Sequence, residues 1–152
     1  MADSDAAARS AAYRLLARAP RSAAEVAEHL RACGFSPQAI RKTLQALGDL
    51  RYIDDAALAG RRAEELLLRR GYGRLRVVSE LTRRGLADSV IATAIAKILE
   101  SQSEAELARK ALRRRLPGNE PASYAERARA YRFLVGRGHP EAVVSEILGE
   151  DD

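Results

Sequence analysis

The chain of 152 residues has no tryptophan and one cysteine, and aromatic residues make up 5% of it. A single thiol, Cys33, rules out an internal disulfide. The two histidines, His29 and His139, stand far apart with no Cys or His partner at metal-ligand spacing, so neither a structural metal nor a cofactor is expected. No uninterrupted apolar run approaches the roughly 20 residues that cross a bilayer. The opening MADSDAAARS has no basic stretch followed by an apolar core. A soluble, cytoplasmic protein with no membrane partner is the expectation. The sequence also lacks a Gly-Lys-Ser/Thr phosphate cradle, a Ser/His/Asp grouping and clustered carboxylates at catalytic spacing, which argues against an enzyme. Aromatic and β-branched residues are scarce while Ala, Leu, Arg and Glu dominate, a balance that favours helix over strand. The expected class is all-α.

What is present is a phrase used three times. An aliphatic helical stretch runs into Leu-x-x-x-Gly, then a polar turn, then a second apolar-periodic stretch. The glycines are Gly34, Gly85 and Gly138, spaced 51 and 53 residues apart. Position −4 is Leu30, Leu81 and Leu134; position +6 is Ile40, Ile91 and Val144; position +10 is Leu44, Ile95 and Leu148. A repeat of this length is one supersecondary unit that cannot bury its apolar face alone, so three in series predict an elongated, curved array. Residues 1–8 are expected as a flexible N-terminus, and 9–53, 54–100 and 101–150 as three three-helix repeats.

Local signals place the helices. The first is expected over Ser10 to Ala19, stopped by Pro20. Ser22-Ala-Ala-Glu25 reads as a capping box opening a helix that runs to Cys33, and Ser36-Pro37 supplies a cap with proline at the first helical position. Asp54 and Asp55 cap a helix carrying Leu58, Leu66 and Leu67, which Gly71-Tyr72-Gly73 ends. Leu75, Val78 and Leu81 mark the inward face of the next, and Ile91, Ile95 and Ile98 that of the one after Asp88. Ser103–Glu106 and Ser123–Glu126 are further capping-box patterns, separated by the loop LPGNEPAS, and Pro140 opens the last helix.

The net charge is +5, and all of that excess sits between Arg61 and Arg84, where eight arginines face Glu64, Glu65 and Glu80. Such a concentration favours polyanions or an acidic protein face over a merely solvated helix surface. Arg69, Arg70, Arg74 and Arg76 are expected to converge on the Gly71-Tyr72-Gly73 turn, where a phosphate chain or an acidic loop would fit. Tyr72 is the base-stacking candidate. The remaining aromatics are read as packing, Cys33 as a buried helix-end residue, and His29 and His139 as surface or capping residues. The Leu-x-x-x-Gly phrase also suggests a helix-turn-helix. Only the helix after Gly34 offers polar base-reading residues, namely Gln38, Arg41, Lys42 and Gln45, so sequence-specific groove reading is a weak alternative.

With these residues assembled, the chain resembles the RecX family of regulatory proteins. The phrases that carry the resemblance are Arg21-Ser22-x-x-Glu25 with Leu30 and Gly34-Phe35; Tyr52-Ile53-Asp54-Asp55 with Ala59; Gly71-x-Gly73-x-x-Arg76 with Glu80-Leu81 and Arg84-Gly85; and Tyr131-Arg132-Phe133-Leu134-x-x-Arg137-Gly138. They run in the family's order over nearly all of residues 10–148. The chain departs from the family's pattern at Arg74, where a proline is common, at Leu58, where Phe is common, and at His139, where an apolar residue is common. The resemblance implies three tandem three-helix units that bind the RecA–DNA filament and inhibit strand exchange, ATP hydrolysis and coprotease activity from its helical groove. Partners implied are RecA and single- or double-stranded DNA, with the chain itself a monomer. The candidate filament- or nucleic-acid-binding residues are Arg69, Arg70, Arg74, Arg76, Arg83, Arg84, Arg113, Arg114, Arg115, Arg132 and Arg137. The alternative function is a helix-turn-helix-like protein that binds nucleic acid directly.

Overall fold

The computed structural model describes residues 4–116 and 121–149. Among them are nine α-helices and no strand: α1 (Asp5–Leu16), α2 (Ala23–Ala32), α3 (Pro37–Asp49), α4 (Asp55–Glu64), α5 (Arg74–Arg83), α6 (Asp88–Leu99), α7 (Glu104–Arg115), α8 (Tyr124–Gly136) and α9 (Glu141–Leu148), with α4 continued by a π-helical turn, Glu65–Arg69. The helices of each consecutive triplet pack on one another. The fold is therefore an all-α array of three-helix repeats.

The repeated phrase is a helix-ending motif. In each repeat the backbone N–H of the residue after the glycine donates to the carbonyl of the leucine (Phe35 to Leu30, Leu86 to Leu81, His139 to Leu134), and the glycine N–H donates to the residue after that leucine. This is the Schellman arrangement, in which a left-handed residue four positions after an inward-facing one reverses the chain. The three glycines take φ of 88°, 80° and 92°. Leu30, Leu81 and Leu134 are fully buried, and Ile40, Ile91 and Val144 join them in the cores.

Each repeat has its own apolar cluster, but the second includes Leu107 from α7, so the third repeat plugs into the second. The capping box at α2 is complete, with Ser22 Oγ accepting from Glu25 N and Glu25 accepting from Ser22 N. Ser36, Asp54, Ser103 and Ser123 each accept from a first-turn backbone N–H of the helix that follows.

Several expectations are corrected. The first helix begins at Asp5 because Ser4 caps it, so residues 5–8 are helical and Ala8 is buried; residues 1–3 lie outside the described residues, as do 117–120 of the expected loop. On α5 the inward residues are Val77 and Leu81, an i, i+4 pair, while Leu75 and Val78 are exposed. The π turn was not foreseen. It widens the helix over three consecutive leucines and buries Leu66 and Leu67 together. Cys33 is exposed at the end of α2, His139 is buried, and Tyr13, Tyr52 and Tyr124 are exposed.

Candidate functional site

Two arginines of the basic segment, Arg74 and Arg84, join one repeat to the next. Between the first and second repeats, Arg84 reaches back to the α2 capping box. Its Nη2 donates to Glu25 Oε1 at 2.9 Å and to Pro20 O at 3.1 Å. Ser22, fully buried, donates its hydroxyl proton to Arg84 O at 2.6 Å, and Asp55 accepts from Ala23 N at 2.9 Å. Burial alone would raise the Glu25 pKa, but hydrogen bonds from Arg84 and Ser22 hold it below the ordinary value. Within the second repeat, Arg62 grips Glu80, and that hydrogen bond lowers the glutamate's pKa against its burial.

The second joint is built on the end of the π turn, where backbone carbonyls have no partner within the helix. All four carbonyls from Leu68 to Gly71 are satisfied by side chains of the third repeat. Arg114 donates to Arg69 O at 2.9 Å and Leu68 O at 3.2 Å, Arg137 to Arg70 O, and His139 Nε2 to Gly71 O at 3.0 Å. A carbonyl only accepts, so His139 Nε2 carries the proton. Two cations at a helix's carbonyl end also complement its dipole. Backbone then meets backbone: Gly73 N donates to Arg137 O at 2.9 Å and Leu75 N to Gly138 O at 3.0 Å. A Cβ on Gly73 would stand 2.5 Å from Gly138 C. Arg74 closes the joint on Glu104 at 2.6 Å.

The expected convergence on the Gly-x-Gly turn therefore has a different composition. Tyr72 is half-buried among three guanidinium groups, those of Arg137 at 3.9 Å, Arg76 at 4.7 Å and Arg70 at 5.6 Å from the ring centre, so its ring is already engaged by cations. Arg74 points to its glutamate and Arg69 pairs with Glu65 at 3.1 Å on the surface. Arg115 lies against Phe133. Arg83, Arg113 and Arg132 are exposed, with no hydrogen-bond or ion-pair partner among the described residues. Arg132 rims an open basin of about 760 Å³ between α7 and α8, with Arg115 and Arg129 beside it and Leu112, Ala130 and Phe133 in its floor. Arg74, Arg84, Arg114 and Arg137 thus hold repeats together, while Arg70, Arg76, Arg83, Arg113 and Arg132 remain exposed.

Among the described residues no group of His, Cys, Asp and Glu is placed to hold a metal ion, and no helix is long and apolar enough to cross a membrane. The residues that sequence reasoning missed are Tyr13, Leu50, Arg51 and Tyr52. They are exposed on the first repeat, where the aromatics read as packing; the sequence signals were Tyr52 in the Tyr52-Ile53-Asp54-Asp55 phrase and the arginine standing four residues after Leu47, where the repeats elsewhere use glycine.

Fold and joints together define a tandem array of three-helix modules with a basic surface. Models of the first, second and third three-helix domains of RecX match residues 8–47, 54–95 and 102–148 in that order. The chain belongs to the RecX family. A regulatory protein RecX of Chromohalobacter salexigens is 36% identical over 140 residues, covering 91% of this chain and 88% of that protein. One of Syntrophotalea carbinolica is 30% identical over 144 residues, covering 93% and 94%. The fold is similar to the crystal structure of RecX from Lactobacillus salivarius, with a TM-score of 0.76 at 21% identity over 95% of this chain and 94% of that one. A second crystal structure, of a regulatory protein RecX, gives 0.73 at 23% identity over 96% and 72%.

Proposed function

We propose that this chain, as a monomer, binds the RecA–DNA filament and inhibits its recombinase, ATPase and coprotease activities in DNA repair and recombination. The observation that carries this reading is the run of three RecX domains in order, spanning most of the chain. Hydrogen bonds from Arg84, Ser22 and Asp55 join the first two repeats, and backbone bonds at Gly73 and Leu75 join the second to the third, which suits an array that spans several filament subunits at once. Exposed arginines then supply charge toward DNA phosphates or acidic protein surfaces. Catalysis is unnecessary. A protein that binds one filament state more tightly than another shifts the equilibrium by that difference in affinity.

The test is RecA ATPase on single-stranded DNA with and without the protein, beside filament co-sedimentation. Co-sedimentation with a fall in ATPase supports the reading. Co-sedimentation with unchanged or raised ATPase overturns the inhibition, and no co-sedimentation overturns the binding. Direct groove reading by helix-turn-helix is less favoured. Lys42 on α3 pairs with Asp5, Gln45 with Asp49, and the outer faces of α6 and α9 carry mainly Ala, Ser, Thr and Glu.

A further inference from the structure

Three of the large apolar or aromatic side chains left exposed gather at one place on the first repeat. Tyr13 on α1 is 38% exposed, and Leu50 and Tyr52, after α3, are 60% and 56% exposed. The two tyrosine rings meet edge to face, with centres 5.2 Å apart and planes at 79°. Between Leu50 and Tyr52 stands Arg51, which takes φ of 64°. It occupies the left-handed position of a fourth Schellman motif: Tyr52 N donates to Leu47 O at 2.9 Å and Arg51 N to Gly48 O at 3.1 Å. Glycine fills that position in the three repeated motifs because it has no Cβ to clash. Arginine here is the only non-glycine at positive φ among the described residues, and its side chain is 83% exposed. Backbone strain held beside an exposed aromatic pair is a feature from which function is reasonably inferred.

We infer that Tyr13, Tyr52 and Arg51 form a stacking platform on the first repeat for single-stranded nucleic acid. Tyrosine faces stack on bases whatever the sequence, and arginines alongside engage the phosphates. Arg9 lies one helical turn before Tyr13 on the same face of α1, and Arg14 follows it; both are exposed with no partner among the described residues. The acidic neighbours are largely spoken for. Asp49 bonds Gln45, Asp5 pairs with Lys42, and Asp54 spends Oδ1 on Ala57 N while its other oxygen sits 3.5 Å from Arg51. The platform deepens the filament reading by naming a contact for the DNA strand. Its main titration uses oligonucleotide without recombinase, so failure of the platform and failure of the filament reading are distinguishable.

The experiment titrates the full chain with a fluorescent oligothymidine at low salt and follows anisotropy. Replacing Tyr52 by Ala should weaken binding about tenfold, as loss of one stacked base does, while Tyr52→Phe should keep it. Arg51→Gly should raise the melting temperature by relieving the backbone, yet lower the affinity and the log–log salt slope by about 0.7. A merely structural arginine would give the first effect without the second. No binding by the unaltered chain, unchanged affinity in both variants, or equal loss in Tyr52→Phe and Tyr52→Ala would overturn the platform. So would a Tyr52→Ala variant that loses filament binding with oligonucleotide affinity intact, which would make the patch a protein-docking surface.

Discussion

Arg84 and Glu25, 59 residues apart in the chain, join at 2.9 Å across the first two repeats, with both side chains about three-quarters buried. The same glutamate closes the α2 capping box, and the same arginine offers its carbonyl to Ser22. One helix start is therefore stabilised by its own cap and by the neighbouring repeat. A basic pair that looks uniform in sequence, Arg83-Arg84, divides into an exposed member and a joint member.

Alanine at the two positions should separate those roles. Arg84→Ala leaves Glu25 with its Ser22 contacts alone and should cost about 1.5–3 kcal/mol, the usual range for hydrogen bonds to charged groups. Arg83→Ala should stay within about 0.5 kcal/mol. Urea unfolding measures both, and equal small losses would show that the Arg84 pair does not hold the joint.

Gly73 should resist replacement, although its φ is negative. The obstacle to a side chain is space, since a Cβ would meet the Gly138–His139 peptide, which is backbone and cannot swing away. Gly73→Ala should destabilise by about 1–3 kcal/mol or more and loosen the third repeat first. Gly60→Ala, where a Cβ meets nothing, is the control. Hydrogen exchange across α7 to α9 distinguishes a loosened joint from global loss.

His139 makes the same joint sensitive to acid. Burial, against its hydrogen bond to Gly71 O, lowers its pKa from the ordinary value near 6.5. The unfolded chain therefore binds the proton more readily than the folded one. The stabilising contribution is complete above about pH 6.5 and is lost as pH falls from there through the lower folded value, with a slope of at most about 1.4 kcal/mol per pH unit. Glu25 and Glu80, also lowered, add losses of the same sign only below the ordinary carboxylate value of 4.5. Stability should decline as pH falls below about 6.5 in the natural chain, while in His139→Leu it should stay flat until the carboxylates titrate. An equal decline in both would assign the effect elsewhere.

What sequence discloses here follows the range of the rule involved. Leu30, Leu81 and Leu134 were legible as core because the helix-ending motif binds a buried leucine to a glycine four residues on, all within one turn. The α2 capping box was legible for the same reason. The face of α5 was not. Leu75, Val77, Val78 and Leu81 satisfy helical spacing in more than one way, and the joint at Gly73 sets which pair turns inward. Arg84, Arg114 and Arg137 read as surface charge because their partners lie 45 to 67 residues away. His139 read as a surface or capping residue; it is buried, it bonds the Gly71 carbonyl, and it occupies the position that Phe35 and Leu86 hold in the other repeats.

That division of the arginines sharpens the functional test. Reversing Arg70, Arg76 and Arg83 to Glu changes exposed charges and spares Arg69 and Arg74, whose partners Glu65 and Glu104 would otherwise be left opposite a like charge. The fold should survive, because exposed charges contribute little to it. Binding to the RecA filament should weaken. If these side chains touch phosphates, the log–log salt slope should also fall by roughly 0.7 for each contact to single-stranded DNA. If they face acidic protein, filament binding should fall while affinity for bare oligonucleotide holds. A folded variant with unchanged inhibition and unchanged salt dependence would leave this stretch a solvated face. The search would then move to Arg113 on α7 and to Arg132 at the rim of the α7–α8 basin, the two other candidates presented without a partner among the described residues.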